Sequence, residues 1–220
     1  YALGALAPAS GPLAGGTVLT LSGVNFGIGF SAGTGPRCSI GTTVVDGTWG
    51  LDANGSTVVL CVVPAVAQAA TVQVEIAINE NSDFTSATGL SYAYYDEPTV
   101  AWSAASPTIG PTSGGTRFCM QLSGGPTGCT STPDGCPTGY VDGGLSCQLQ
   151  DGDGSPLEPA LVADVDDAVA TACCTATAMP AVAAASLTDG ACSAVHAIGL
   201  SLNSQQYFTS GLGFAYFAPP

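Results

Sequence analysis

The amino-acid sequence predicts an all-β chain built from two β-sandwiches in tandem. Three observations carry that expectation. The second half of the chain repeats the first, its apolar residues alternate with period two, and glycine- and proline-rich turn clusters recur between short strands.

The repeat starts near the N-terminus. Ala7-Pro8-Ala9-Ser10-Gly11-Pro12-Leu13-Ala14-Gly15-Gly16-Thr17 is echoed by Ser106-Pro107-Thr108-Ile109-Gly110-Pro111-Thr112-Ser113-Gly114-Gly115-Thr116. Leu19 and Leu21 then correspond to Phe118 and Met120 on an early strand. Val72 to Ser86 aligns without gaps onto His196 to Ser210, and both stretches close on Phe-Thr-Ser. Within them Val72, Val74, Ile76 and Ile78 alternate with Gln73, Glu75, Ala77 and Asn79, as a strand with one buried face requires. Ile198, Leu200 and Leu202 repeat the pattern. Leu90, Tyr92 and Tyr94, or Leu212, Phe214 and Tyr216, supply the inward face of a last strand. No stretch presents a helical stripe. The boundaries that follow are 1–97 and 98–220, the second unit carrying a Gly-, Pro- and Thr-rich insertion at about 125–145 with Cys129 and Cys136.

Composition narrows the function classes. The chain has 220 residues, enough for two domains of about 100 to 110 residues each. With 46% hydrophobic residues it is not a disordered chain, and with 8% charged residues it is unlike an ordinary cytosolic protein. Lysine is absent. Arg37 and Arg117 are the only fixed cations against 16 acidic residues, a formal net charge of −14. Such a surface repels phosphate backbones and anionic headgroups, which argues against nucleic-acid or electrostatic membrane partners. The most apolar long run, 168–187, is dominated by alanine and broken by Thr171, Thr175, Thr177 and Pro180, so no membrane insertion is expected there. Nine cysteines beside one histidine, with no Cys-x-x-Cys pair, point to disulfides and an oxidising compartment rather than to zinc.

Ser10-Gly11-Pro12-Leu13-Ala14-Gly15-Gly16-Thr17-Val18-Leu19-Thr20-Leu21-Ser22-Gly23-Val24-Asn25-Phe26-Gly27 resembles the opening of IPT/TIG domains, an immunoglobulin-like fold found in plexins, transcription factors and many cell-surface proteins. Cys38, Cys61 with Pro64, and the aromatic pair Tyr94-Tyr95 continue the likeness through nearly all of the first unit. The second unit keeps Pro107 through Thr116, Cys147, Pro180 and the terminal strand, and departs where Asn-Phe-Gly becomes Gly124-Gly125-Pro126 and the insertion. The resemblance implies two immunoglobulin-like sandwiches of the E-set kind. It also implies extracellular binding or spacing; the basic loops of the family's DNA-binding branch are missing.

Cys38–Cys61 is the expected bridge of the first unit, closing a loop of about twenty residues. In the second, Cys147 is expected to pair with Cys173 or Cys174. Neighbours on a strand point to opposite faces, so one of these two faces the core while the other reaches a second partner. Cys129–Cys136 would staple the insertion, leaving Cys119 and Cys192 as the remaining pair. His196 aligns with Val72 and reads as a core-margin residue, with no nucleophile or acid arranged around it. No catalytic set and no cofactor are expected. Asp151 and Asp153 form a weak calcium candidate, without the spacing of an EF-hand loop. Asn54-Gly55-Ser56 is the single N-glycosylation sequon, and the 127–138 stretch suits O-linked sugars. Trp49 is the one aromatic placed in a loop, where recognition would sit.

The first unit closes on Asp96-Glu97-Pro98 and the second on Ala218-Pro219-Pro220, while Tyr1 to Leu6 resembles the entering strand Val100 to Ala105. The repeat is thus cut at its own joint, with Tyr1, Leu3, Pro219 and Pro220 as the expected contact between copies or neighbouring modules. The expectation is a non-enzymatic, glycosylated extracellular structural protein assembling head to tail into a filament, matrix or surface appendage. The alternative is a fragment of an adhesion or receptor ectodomain binding protein or glycan through its loops.

Overall fold

A computed structural model describes residues 1–26, 35–78, 83–95, 101–123, 145–157, 161–166, 171–184, 187–188 and 190–220. The chain divides into two compact units, Tyr1–Glu97 and Pro98–Pro220. Both are β-sandwiches. The insertion with Cys129 and Cys136 lies outside the described residues.

The first unit has eight strands: β1 (Ala2–Ala7), β2 (Ser10–Pro12), β3 (Val18–Val24), β4 (Arg37–Ile40), β5 (Thr43–Leu51), β6 (Thr57–Val62), β7 (Ala70–Ala77) and β8 (Thr85–Tyr95). One layer runs β1-β3-β6-β5 and the other β5-β4-β7-β8-β2, so β5 belongs to both. Its first half pairs antiparallel with β4, from Thr43↔Ile40 to Asp46↔Arg37. Its second half pairs with β6, from Gly47↔Cys61 to Leu51↔Thr57. The change of partner falls at Gly47, where a Cβ would lie 2.9 Å from the Cys61 sulfur. Glycine is what lets the strand pass the crosslink there.

Between the layers the alternation expected from sequence is realised. Leu19 and Leu21 point in while Val18 and Val24 point out; Val74, Ile76, Tyr92 and Tyr94 join them with Leu3, Ile40, Val59 and Val63 in one core. Val72, Ile78 and Leu90 are half-buried against it. Ala77 departs from the alternation and is buried as well.

The second unit comprises β9 (Ala101–Ser106), β10 (Ile109–Pro111), β11 (Arg117–Ser123), β12 (Ser146–Gln150), β13 (Leu161–Val162), β14 (Asp164–Asp166), β15 (Thr171–Thr175), β16 (His196–Ser201) and β17 (Phe208–Phe217). Its layers run β14-β15-β11-β9 and β10-β17-β16-β12-β13. The crossing made by β5 is here made by β13 and β14 with the buried Ala163 between them, its N–H donating to the Leu145 carbonyl at 2.8 Å. A single turn of helix, α1 (Ala181–Ala184), follows Pro180, which accepts from the Ala184 N–H. No helical stripe marks this stretch in the sequence. Four alanine-rich residues are too short to show a periodic stripe.

Local geometry repeats between the units. Gly15 and Gly114 have φ of +71° and +76°, and a Cβ on either would come within 2.7 Å of backbone atoms of the facing loop. The Gly16 N–H donates to the Val63 carbonyl, and that of Gly115 to the Ala176 carbonyl. Tyr92 and Tyr94 meet edge to face at 5.1 Å, Phe214 and Tyr216 at 5.3 Å. The Tyr94 hydroxyl closes on the Pro64 carbonyl at 3.0 Å, and the Tyr216 hydroxyl on the Thr177 carbonyl at 3.1 Å.

Candidate functional site

Three disulfides are formed among the described residues, and they are of two kinds. Cys38–Cys61 joins β4 to β6, and Cys147–Cys174 joins β12 to β15. Each ties one layer to the other through the core, with Cα separations of 6.5 and 6.4 Å and all four cysteines buried. Cys119–Cys173 instead joins directly opposed residues on the neighbouring strands β11 and β15, with Cα atoms 4.0 Å apart. Cys173 and Cys174 do point to opposite faces of one strand. Phe118, Met120, Ala172 and Cys174 face the core, so the Cys119–Cys173 bridge lies on the other side of the layer.

The expected partner of Cys119 was Cys192, and the structure corrects this. Cys192 is an exposed free thiol beside the end of β17, where it bridges to Phe217. Register decides the matter: Cys119 stands opposite Cys173, and that pairing is invisible until the strands are aligned.

The sequon occupies the tip of the β5–β6 hairpin. Asp52 accepts hydrogen bonds at Oδ1 from the Asn54 and Ser56 backbone N–H groups, at 2.9 and 2.8 Å, and its carbonyl accepts from Gly55 N–H. Gly55 adopts φ +79° at the turn. The turn holds itself, so the exposed Asn54 side chain is left to project from it.

Asp151 and Asp153 lie in the turn after β12, and their carboxylates serve that turn. Asp151 Oδ1 accepts from Gly152 N–H at 3.0 Å and Asp153 Oδ1 from Ser155 N–H at 2.9 Å. Hydrogen bonds from the Ser155 backbone and hydroxyl hold the Asp153 carboxyl below its ordinary range. Among the described residues no three His, Cys, Asp or Glu side chains gather closely enough to hold a metal ion.

His196 opens β16, buried, with Asp151 Oδ1 3.9 Å from its Nδ1 and the Tyr216 ring centroid 6.1 Å away. Neither ring nitrogen makes a hydrogen bond. Burial lowers its pKa, and the Asp151 charge opposes that shift. It is a buried histidine whose surroundings favour the uncharged ring.

Two expectations about recognition surfaces change. Leu3 is buried in the first core, and Tyr1 packs against it with its hydroxyl donating to the Asp83 carbonyl at 3.0 Å. The Leu3 side chain is thus buried inside the unit and Tyr1 is half-buried, whereas Pro219 and Pro220 are exposed. Trp49 is not a loop residue: it sits on β5 opposite Val59 and packs against the core. No helix among the described residues is long and apolar enough to cross a membrane.

Residues 3–94 match the IPT/TIG domain family. No curated protein matches the chain. Among solved structures, the plexin A4 full extracellular region of domains 1 to 10 is 16% identical with a TM-score of 0.53, over 98% of this chain and 15% of that one. A second plexin A4 structure, with domains 1 to 8, gives 16% identity and a TM-score of 0.49, over 97% of this chain and 18% of that one. The Yersinia pseudotuberculosis adhesin InvE gives 12% identity and a TM-score of 0.27, over 95% of this chain and 57% of that one. The first likeness is one of fold, and this chain spans about 15% of that plexin region's length.

Proposed function

We propose that the chain is a non-enzymatic extracellular structural module, glycosylated at Asn54, whose copies assemble head to tail into a filament, matrix or surface appendage. The observation that carries this reading is the repetition of one sandwich topology with one crosslink: β4–β6 in the first unit, β12–β15 in the second. Two IPT/TIG-like modules, each locked by its own cross-layer disulfide, suit a spacer whose stability does not depend on a ligand. Three disulfides favour an oxidising, extracellular setting. The buried histidine and turn-bound carboxylates leave those groups no acid–base role. Assembly contacts would engage the exposed Pro219 and Pro220.

Electron microscopy of the native, unreduced protein tests the assembly. Fibres with a two-module repeat, lost on replacing Pro219 and Pro220 by Asp, would support it. Discrete particles unchanged by concentration would refute it and leave an adhesion or receptor ectodomain fragment as the account. Glycopeptide mapping at Asn54 tests the modification separately.

A further inference from the structure

Arg117 is one of two cations in a chain of net charge −14, and its Nη1 lies 3.3 Å from the Cys119 sulfur. Arg117 and Cys119 are two apart on β11 and so share its non-core face. Cys119 is only partly buried there, although its partner Cys173 is buried, while both cysteines of each cross-layer bridge are sealed in the cores.

The first unit shows what this position needs for folding. Counting from the paired glycines Gly15 and Gly114, Cys119 corresponds to Thr20; counting from Cys61 and Cys174, Cys173 corresponds to Leu60. Thr20 and Leu60 are register partners on β3 and β6, as Cys119 and Cys173 are on β11 and β15. The same pair of strands therefore forms with no crosslink at this point. Arg117 likewise stands opposite Thr175 where the first unit sets Val18 opposite Val62.

We infer that Cys119–Cys173 is a thiol-exchange site, opened by a low-molecular-weight thiol such as glutathione while the cross-layer bridges stay closed. The incoming thiolate attacks the accessible Cys119 sulfur, a new S–S bond forms there, and the Cys119–Cys173 bond breaks with its electron pair leaving on Cys173. A second thiolate attacks the mixed disulfide and frees Cys119 as a thiolate. Two thiols are oxidised to one small disulfide, and the protein gains two thiolates that take protons from water. Arg117 draws an anionic thiol through an otherwise acidic field and stabilises the negative charge spread over three sulfurs in the transition state.

The test exposes the native protein to glutathione, quenches with an alkylating agent at intervals and maps modified cysteines by mass spectrometry. Cys192, free from the start, reports that alkylation is complete. Cys119 and Cys173 should be modified at least about tenfold faster than Cys38, Cys61, Cys147 and Cys174. Arg117→Gln should slow that opening by about fivefold at low salt, and the difference should shrink as salt is added. Simultaneous opening of all three bridges would overturn the inference, and so would an Arg117→Gln rate equal to the parent's. A variant carrying the first unit's residues, Cys119→Thr with Cys173→Leu, should keep the parent circular dichroism. If it fails to fold, the bridge is structural and the inference falls.

Discussion

Replacing Cys38 and Cys61 together by alanine removes the only crosslink described in the first unit, and the size of the loss follows from the loop it closes. The sequence separation is 23 residues. In the chain-entropy treatment that loop restricts the unfolded chain by about 11 cal/mol/K, or about 3.4 kcal/mol at 25 °C. For a unit spanning Tyr1–Glu97 the unfolding entropy is about 0.2 kcal/mol/K, so the midpoint should fall by about 17 °C. Loss of two buried sulfurs pushes in the same direction. Urea unfolding followed by tryptophan fluorescence measures it, with Trp102→Phe in both proteins so that the core-packed Trp49 alone reports the first unit. The paired Cys147→Ala and Cys174→Ala change, across a separation of 27, should cost the second unit about 3.5 kcal/mol. A loss below about 1 kcal/mol in the first unit would refute the reasoning, because the bridge would then restrain an unfolded chain that is already compact.

Gly114→Ala should destabilise the second unit by about 2–3 kcal/mol, since φ is +76° and the new methyl would press on the Thr177–Ala178 backbone; Gly115→Ala, with open space at φ +83°, should cost only about 1–2 kcal/mol, both read from urea midpoints. His196 has a folded pKa below its unfolded value, so the unfolded state binds the extra proton; second-unit stability should hold above about pH 6.5 and decline below it. Asp151 and Tyr216 are the groups facing that ring, and His196→Val, the first unit's residue, should flatten the decline. Burial raises the Tyr92 phenol to about 12 against a lowering from Thr17, so stability should be lost as pH rises above the unfolded value of about 10. Burial raises Tyr94 as well, so ultraviolet titration should show late-ionising tyrosines, and Tyr92→Phe should reduce that late phase by one group.

What could be read in advance was whatever has a one-dimensional signature. The period-two runs at Val72–Ile78 and Ile198–Leu202 are strands because a half-buried strand can take almost no other pattern. The opposite facing of Cys173 and Cys174 follows from strand geometry alone. Pairing of Cys119 did not, because it depends on which residue of β15 stands opposite, a matter of register between strands 54 residues apart. Trp49 was misplaced because Gly47 and Gly50 around it look like turn chemistry, whereas they make room for the Cys61 sulfur and for Leu60. Leu3 looked peripheral in a chain that starts two residues earlier, yet β1 packs its side chain into the core. Asp151 and Asp153, the weak calcium candidate, accept from N–H groups of their own turn, a partnering that depends on the turn's geometry and leaves no mark in the sequence.

The strand shared by both layers also decides how the first unit can fail. A protein with 46% hydrophobic and only 8% charged residues has little charge with which to keep open sheet borders from pairing with their neighbours. Because β5 passes from one layer into the next, with each half paired along one side only, the two layers form a single strand order that ends at β1 and β2. Of these, β2 is three residues long and finishes in Pro12, which has no N–H to offer. Among the described strands, outward pairing of this sheet is thereby left to Ala2–Ala7 and to the unpaired sides of the two halves of β5.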